Sequence, residues 1–387
     1  MKIIYFTTAC EKADYDSFII NWKSTLNTSI QNLHNRLIRS LAMTHEVEVI
    51  SARPFSRKYC TLKKLSSATI QEGKITWHYL DIKRHKFIRN DSIKKQAKKL
   101  LSKMNLKDCI ILTDTLNPLL LKCSTSFAKK FNLPIIGVCN YTPSGIHNTG
   151  ASYTKYVIGL ADNLSGYITL TSGLNELYNK QNRANLTIEG VLENKFNSID
   201  LKEYGKYIFF YGDLSDKYGV YELINAFNEL DKKDINLVLA GYHGDNEKLN
   251  KIASENSHIK YLKMLSSDWA LSLMNNSLLN IDPRPYSEDY DRYLIPSVVL
   301  DYLNSNSLTL SVKNRKLQSY FNDDALWINT GEKEDLLEGI NKALEMSKED
   351  RTAMIKKANA DINKMYAMSN VNHKVILFLK QFLKQRE

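Results

Sequence analysis

Along the chain, short runs of β-branched and aromatic residues alternate with stretches whose apolar positions recur every three or four residues. Residues 2–6, 46–50, 75–80, 109–113, 135–139 and 166–170 read as strands. Between them, Leu26, Ile30, Leu33, Leu37 and Leu41 put an apolar stripe on one helix, and a second helical pattern covers about residues 117–131. Strands that are nearly continuous apolar runs, separated by helices, imply parallel sheets covered on both faces. The rhythm restarts at 207–211 and continues through 236–240, 258–262, 278–281 and 307–311.

The restart divides the 387 residues into two α/β domains, each Rossmann-like and doubly wound, expected over 1–198 and 199–387. There is no sequence repeat between the halves and no Pro/Gly-rich linker, so the boundary rests on the restart and on the polar stretch 193–206. The last helix is free in this scheme to pack back on the first domain. In open α/β sheets ligands bind beyond the carboxyl ends of the strands, where strand order reverses. Two such sheets facing one another make a cleft suited to a bulky, charged substrate.

Composition changes this picture little. Hydrophobic residues at 43% and charged residues at 25% describe an ordinary globular chain. Cys10, Cys60, Cys109, Cys123 and Cys139 form no CxxC pair and no Cys/His cluster with zinc-ligand spacing, and read as buried thiols in a reducing compartment. The opening apolar run is short for a signal peptide, and no window approaches the ~18 apolar residues of a membrane span, so a cytoplasmic protein is expected.

Charge changes it more. Residues 1–199 hold 28 Lys+Arg against 14 Asp+Glu, and residues 200–387 hold 25 against 28, so the net charge of +11 resides in the first half. Ten basic side chains crowd residues 83–107 with one acid, Asp91. There Lys94, Lys95, Lys98 and Lys99 alternate with an apolar stripe of Ile93, Ala97, Leu100, Leu101 and Met104. That pattern fits an amphipathic helix held at the anionic inner face of the plasma membrane, or a solvated helix whose stripe docks on the domain core. A nucleic-acid partner is not expected, because no basic stretch is interleaved with stacking aromatics.

The second half carries the chemistry. Tyr211-Gly212-Asp213-Leu214-Ser215-Asp216-Lys217-Tyr218-Gly219 is a strand ending in glycine, a short loop, and a lysine just before a helix start. Helix-start N–H groups, the dipole and one ammonium together suit an anion. Leu239-Ala240-Gly241-Tyr242-His243-Gly244 is a second strand ending in glycines, and Asp282-Pro283-Arg284-Pro285 holds an arginine in a rigid turn. Tyr293-Leu294-Ile295-Pro296-Ser297-Val298-Val299-Leu300-Asp301 then opens a helix.

In this order the elements resemble glycosyltransferase family 4 and its relatives that build bacterial capsules and exopolysaccharides. The stretch Thr169-Leu170-Thr171-Ser172-Gly173 followed by Ile188-Glu189-Gly190 resembles the same family's segment before the linker. Asp213 and Val298 depart from the family pattern, as does Asn306, in the segment after that helix. The resemblance implies a GT-B fold and transfer of a sugar from a nucleotide-sugar donor to a hydroxyl of a glycan or lipid-linked acceptor. It implies that Lys217 and the Gly212 loop meet the donor phosphates with Arg284 close to the same pocket, that Ser297 could offer its hydroxyl and N–H to a phosphate oxygen, that Gly241 belongs to the donor site, and that Asp301 binds the ribose hydroxyls. Lys217 and Arg284 would stabilise the leaving diphosphate, with no metal and no cofactor beyond the nucleotide-sugar substrate, and with anomeric configuration retained. His147 lies in a first-domain loop that could face the acceptor. The alternative from another class is a non-catalytic GT-B subunit that holds an acceptor or a partner enzyme.

Overall fold

The computed structural model describes residues 1–22, 28–54, 64–83, 86–147, 150–192, 199, 201–232 and 234–384, with the backbone alone at 19–22, 86–89 and 146–147. Its first-half strands are β1 (Lys2–Thr7), β2 (Val47–Ser51), β3 (Lys64–Leu65), β4 (Ala68–Glu72), β5 (Ile75–Tyr79), β6 (Ile82–Lys83), β7 (Cys109–Asp114), β8 (Ile135–Cys139), β9 (Gly166–Thr169) and β10 (Asn185–Thr187). Eight of them form one sheet in the order β10-β9-β8-β7-β1-β2-β5-β4, and β3 pairs with β6 separately. All its neighbours are parallel except the β4–β5 hairpin, whose turn uses Gly73 at φ +57°. β7 and β8 are buried at every residue, as continuous apolar runs between two helical layers should be.

The second sheet runs β13-β12-β11-β14-β15-β16, all parallel, from β11 (Lys206–Asp213), β12 (Ile235–Tyr242), β13 (Ile259–Tyr261), β14 (Leu279–Asp282), β15 (Leu308–Val312) and β16 (Leu326–Ile328). Every expected strand is present. β3, β4, β6, β10 and β16 are additional: β4 is an edge strand largely exposed, β3 and β6 are two residues long, and β10 and β16 are three residues long. The expected division at 198/199 falls in residues 193–200, of which only Ile199 is described.

The helix Lys86–Leu101 settles which way the basic segment faces. Ile93, Ala97 and Leu101 are buried in the first core, so among the described residues the stripe faces protein. Lys94, Lys95, Lys98 and Lys99 are exposed.

The chain closes by crossing back. The helix Lys348–Tyr366 packs Ala358, Ile362 and Tyr366 into the second-half core, whereas Met368–Lys384 packs Val371, Val375 and Leu379 into the first. There Ser40 Oγ donates to Met368 O (2.7 Å) and Asn372 Nδ2 to Ser40 O (2.6 Å), tying this last helix to Thr28–Ala42.

Candidate functional site

In the second sheet the chain runs β11, β12, β13 to one side and β14, β15, β16 to the other, so strand order reverses between β11 and β14. Both strands deliver polar groups at their carboxyl ends: Gly212 and Asp213 from β11, Asp282 and Arg284 from β14. Gly241, paired with Gly212 in register, has φ +148°, and a Cβ there would lie 1.8 Å from Gly212 O. Only glycine permits that approach. Gly219, at φ +78°, presses the loop after β11 against the Pro283 carbonyl, where a Cβ would sit 2.2 Å away.

These close approaches bring two aromatic rings around one cation. The Arg284 guanidinium lies 4.7 Å from the Tyr218 ring centroid and 4.9 Å from that of Tyr290. Its Nε is buried without a hydrogen-bond partner, and among the described residues it forms no ion pair. Burial disfavours the charge, but Asp282 and the surrounding tyrosines outweigh it and hold Arg284 firmly protonated. Although Asp282 lends it negative charge, the guanidinium makes no ion pair among the described residues and keeps its Nε donor for a ligand that brings an anion.

Asp213 is also accounted for. Burial would raise its pKa, yet hydrogen bonds from His243 (2.9 Å) and from the N and Oγ of Ser215 (2.9 and 2.6 Å) hold it below the usual carboxylate value. The carboxylate is thus engaged by its own loop.

The helix Ser297–Leu303 is fixed to β11 by Tyr302, whose buried hydroxyl accepts from Tyr211 N (2.9 Å). One residue earlier, Asp301 forms a two-point pair with Arg36 of the helix Thr28–Ala42: Nη1 to Oδ1 at 2.8 Å and Nη2 to Oδ2 at 3.0 Å. Arg36 Nη1 also donates to Val191 O (3.2 Å), and both side chains are buried. Ser297 approaches Ser29 Oγ (3.4 Å), and the helix's N-cap is Pro296 rather than Ser297. Lys12 pairs with Asp268 at 2.5 Å on the same seam.

Two cavities meet here. A small one, about 50 Å³, is lined by Ser29, Asn32 and Tyr141 on one side and by Gly212, Asp213, Tyr218, Arg284, Ser297 and Asp301 on the other. A larger one, about 290 Å³, is lined by Lys12, Arg36 and Arg39 facing Ser267, Asp268, Leu271 and Met274. Asn32, Tyr211 and Asp301 line both.

The structure therefore gathers Gly212, Arg284, Ser297 and Asp301 around one cleft, with Gly241 beneath Gly212. Lys217 stands apart: it is exposed in the turn Asp216–Tyr218, lines neither cavity, and reaches the site only through its ammonium 4.9 Å from the Tyr218 ring. His147 ends the short helix Pro143–His147, and its side chain lies outside the described residues. Sequence reasoning missed Arg36 and the two tyrosines about Arg284. The first had a legible signal, an arginine three residues after Leu33 and directly before Leu37 on a helix whose stripe is buried.

Two facing, doubly wound parallel sheets with a cleft at the second sheet's switch point define the GT-B class of fold. Residues 192–361 match the family of glycosyl transferases group 1. Among solved structures, sucrose-phosphate synthase from Thermosynechococcus elongatus superposes with a TM-score of 0.73 at 10% identity, covering 100% of both chains. The α,α-trehalose 6-phosphate synthase of Burkholderia multivorans gives 0.67 at 11% identity over 100% of this chain and 97% of its own. HepE of Anabaena in complex with UDP gives 0.64 at 12% identity over 98% and 100%. No curated protein matches the chain in sequence.

Proposed function

We propose that the protein transfers a glycosyl group from a nucleotide-sugar donor to an acceptor hydroxyl. The observation that carries this reading is the pair of cavities meeting at Asp301, with an arginine free of any ion pair among the described residues at one end and an apolar wall at the other. The nucleoside lies against Leu271 and Met274, the ribose reaches Asp301, and the diphosphate lies at Arg284. A carboxylate has lone pairs beyond those used by Arg36, so Asp301 accepts from ribose hydroxyls while the pair persists or as it rearranges.

Arg284 acts where charge develops. As the bond from the anomeric carbon to the diphosphate breaks, negative charge grows on the leaving oxygens, and the stacked guanidinium is already in place to meet it. Lys217, on the rim of Tyr218, adds a second positive charge. The small cavity has room for a few waters and none for a diphosphate, so donor entry parts the two halves and transfer follows their closure.

A thermal-shift screen of UDP-, GDP- and ADP-sugars tests the reading, because a ligand that binds only the folded state stabilises it by about 2.7 kcal/mol at a hundred times its dissociation constant. UDP is the first arm, since HepE was solved with it. A melting temperature unmoved by all three nucleotides overturns the assignment.

The finer reading is cell-surface polysaccharide synthesis on a lipid-linked acceptor at the inner face of the plasma membrane. It is supported by the exposed Lys94, Lys95, Lys98 and Lys99, each contributing about 1 kcal/mol near an anionic surface. With the apolar stripe buried, attachment is electrostatic alone. Co-sedimentation with phosphatidylglycerol vesicles is expected at low salt and lost near 1 M, where the Debye length falls to ~3 Å. Undiminished binding by a Lys95→Glu/Lys98→Glu/Lys99→Glu variant would remove this helix from the contact.

A further inference from the structure

The wall opposite the nucleoside's apolar face holds two polar atoms that no described residue satisfies. The cavity of about 290 Å³ is bounded on its second-half side by Leu271 and Met274 of the helix Ser267–Asn276. On its first-half side stand Tyr15 of the helix Lys12–Trp22 and Asn35 of the helix Thr28–Ala42. The Tyr15 hydroxyl and Asn35 Oδ1 are buried, and neither has a hydrogen-bond partner among the described residues. A buried polar atom left unpaired is destabilising, so two of them in one cavity wall point to a ligand that satisfies both.

The two atoms differ in kind. The Asn35 amide nitrogen donates to Cys10 O, which can only accept, so the orientation of the amide is fixed and Oδ1 is left purely as an acceptor. Tyr15 is 4% exposed, and burial pushes its phenol well above the ordinary range, with the neighbouring Tyr211 and Tyr242 adding to the effect. Its hydroxyl therefore stays an O–H donor. The wall thus offers one acceptor and one donor. Asn32, Tyr211 and Asp301 line this cavity and the small one alike, so a base lying here keeps its ribose at Asp301 and its diphosphate towards Arg284.

We infer that Tyr15 and Asn35 read the nucleobase of the donor, and that this base is uracil. The inference rests on the glycosyltransferase reading and adds two things to it: which nucleotide carries the sugar, and that the first half of the chain selects it. Leu271 and Met274 give a flat apolar face on which any base can lie, so the selection falls to the polar wall. There a base must bring an N–H to Asn35 and an acceptor to Tyr15. The imide edge of uracil carries a ring N–H with a carbonyl oxygen on either side, so it meets the pair whichever side of Asn35 the Tyr15 hydroxyl stands on. Cytosine presents a ring lone pair at that position, which opposes Asn35 Oδ1. Guanine has a carbonyl on one side of its ring N–H only, and adenine has no carbonyl. A site that leaves buried polar groups unpaired rejects the wrong ligand more strongly than a site that loses an apolar contact.

Calorimetric titration of the full chain with UDP, CDP, ADP and GDP tests the inference, beside a melting scan of each protein without nucleotide. UDP is expected to bind wild-type protein at least about tenfold more tightly than CDP, whose base has the same ring size and differs only at this edge. Tyr15→Phe is expected to bring the two affinities within about threefold of one another. Its melting temperature is expected to stay level or rise, because the variant removes a buried hydroxyl that had no partner. Equal UDP and CDP affinities in wild-type protein, tighter binding of another base, an undiminished UDP preference in Tyr15→Phe, or a lowered melting temperature in that variant would overturn the inference. If none of the four nucleotides binds wild-type protein, the glycosyltransferase reading falls with it.

Discussion

Replacing Arg284 with methionine is expected to lower turnover about 100- to 1000-fold, a loss of roughly 3–4 kcal/mol in transition-state stabilisation. Methionine retains much of the side chain's volume between the Tyr218 and Tyr290 rings, so the fold loses the cation–π contacts, about 0.5–2 kcal/mol, and the charge that offsets the buried Asp282 carboxylate, which becomes easier to protonate. The kinetic signature distinguishes roles. An interaction made only as the diphosphate departs lowers kcat and kcat/KM together, whereas one made equally with bound donor raises KM alone. Arg284→Lys is expected to recover only part of the rate, because an ammonium is a point charge without the planar face that stacks on both rings. A folded Arg284→Met enzyme with wild-type kcat would take the guanidinium out of the chemistry.

Arg36→Met is expected to have the largest effect on stability. It strands the Asp301 carboxylate, 8% exposed, in a protein interior, and removing one member of a buried pair typically costs about 3–5 kcal/mol. The cost comes from the abandoned charge rather than from the lost attraction. Changing the partner as well, in Arg36→Met/Asp301→Leu, is therefore expected to restore most of the melting temperature. Additive losses in the double variant, measured by thermal denaturation, would show that the two side chains are not coupled.

The parts of the fold that were legible in the chain are those in which burial is written locally. A run such as Ile3-Ile4-Tyr5-Phe6 admits few alternatives, and the glycines at 212, 219 and 241 and the arginine between two prolines stood out for the same reason. What stayed hidden depends on contacts between distant residues. Asp301 and Arg36 are 265 positions apart, and neither position signals that the other neutralises it. The Tyr218 ring comes from the turn Asp216–Tyr218 and the Tyr290 ring from the helix Glu288–Tyr293, and they flank Arg284 because Gly219 lets its turn close on Pro283. Lys217 shows the converse: a lysine beside a glycine at a helix start looks like a phosphate ligand, yet the turn directs it to the rim. The edge strand β4 was invisible because backbone pairing with β5 holds it, not an apolar face.

The most direct test of the account is a structure with the nucleoside diphosphate that stabilises the protein most. The base is expected against Leu271 and Met274, the ribose hydroxyls within hydrogen-bond reach of Asp301, and the diphosphate on Arg284, with the small cavity opened to admit it. A nucleotide seated elsewhere, leaving Arg284 and Asp301 untouched, would contradict this placement.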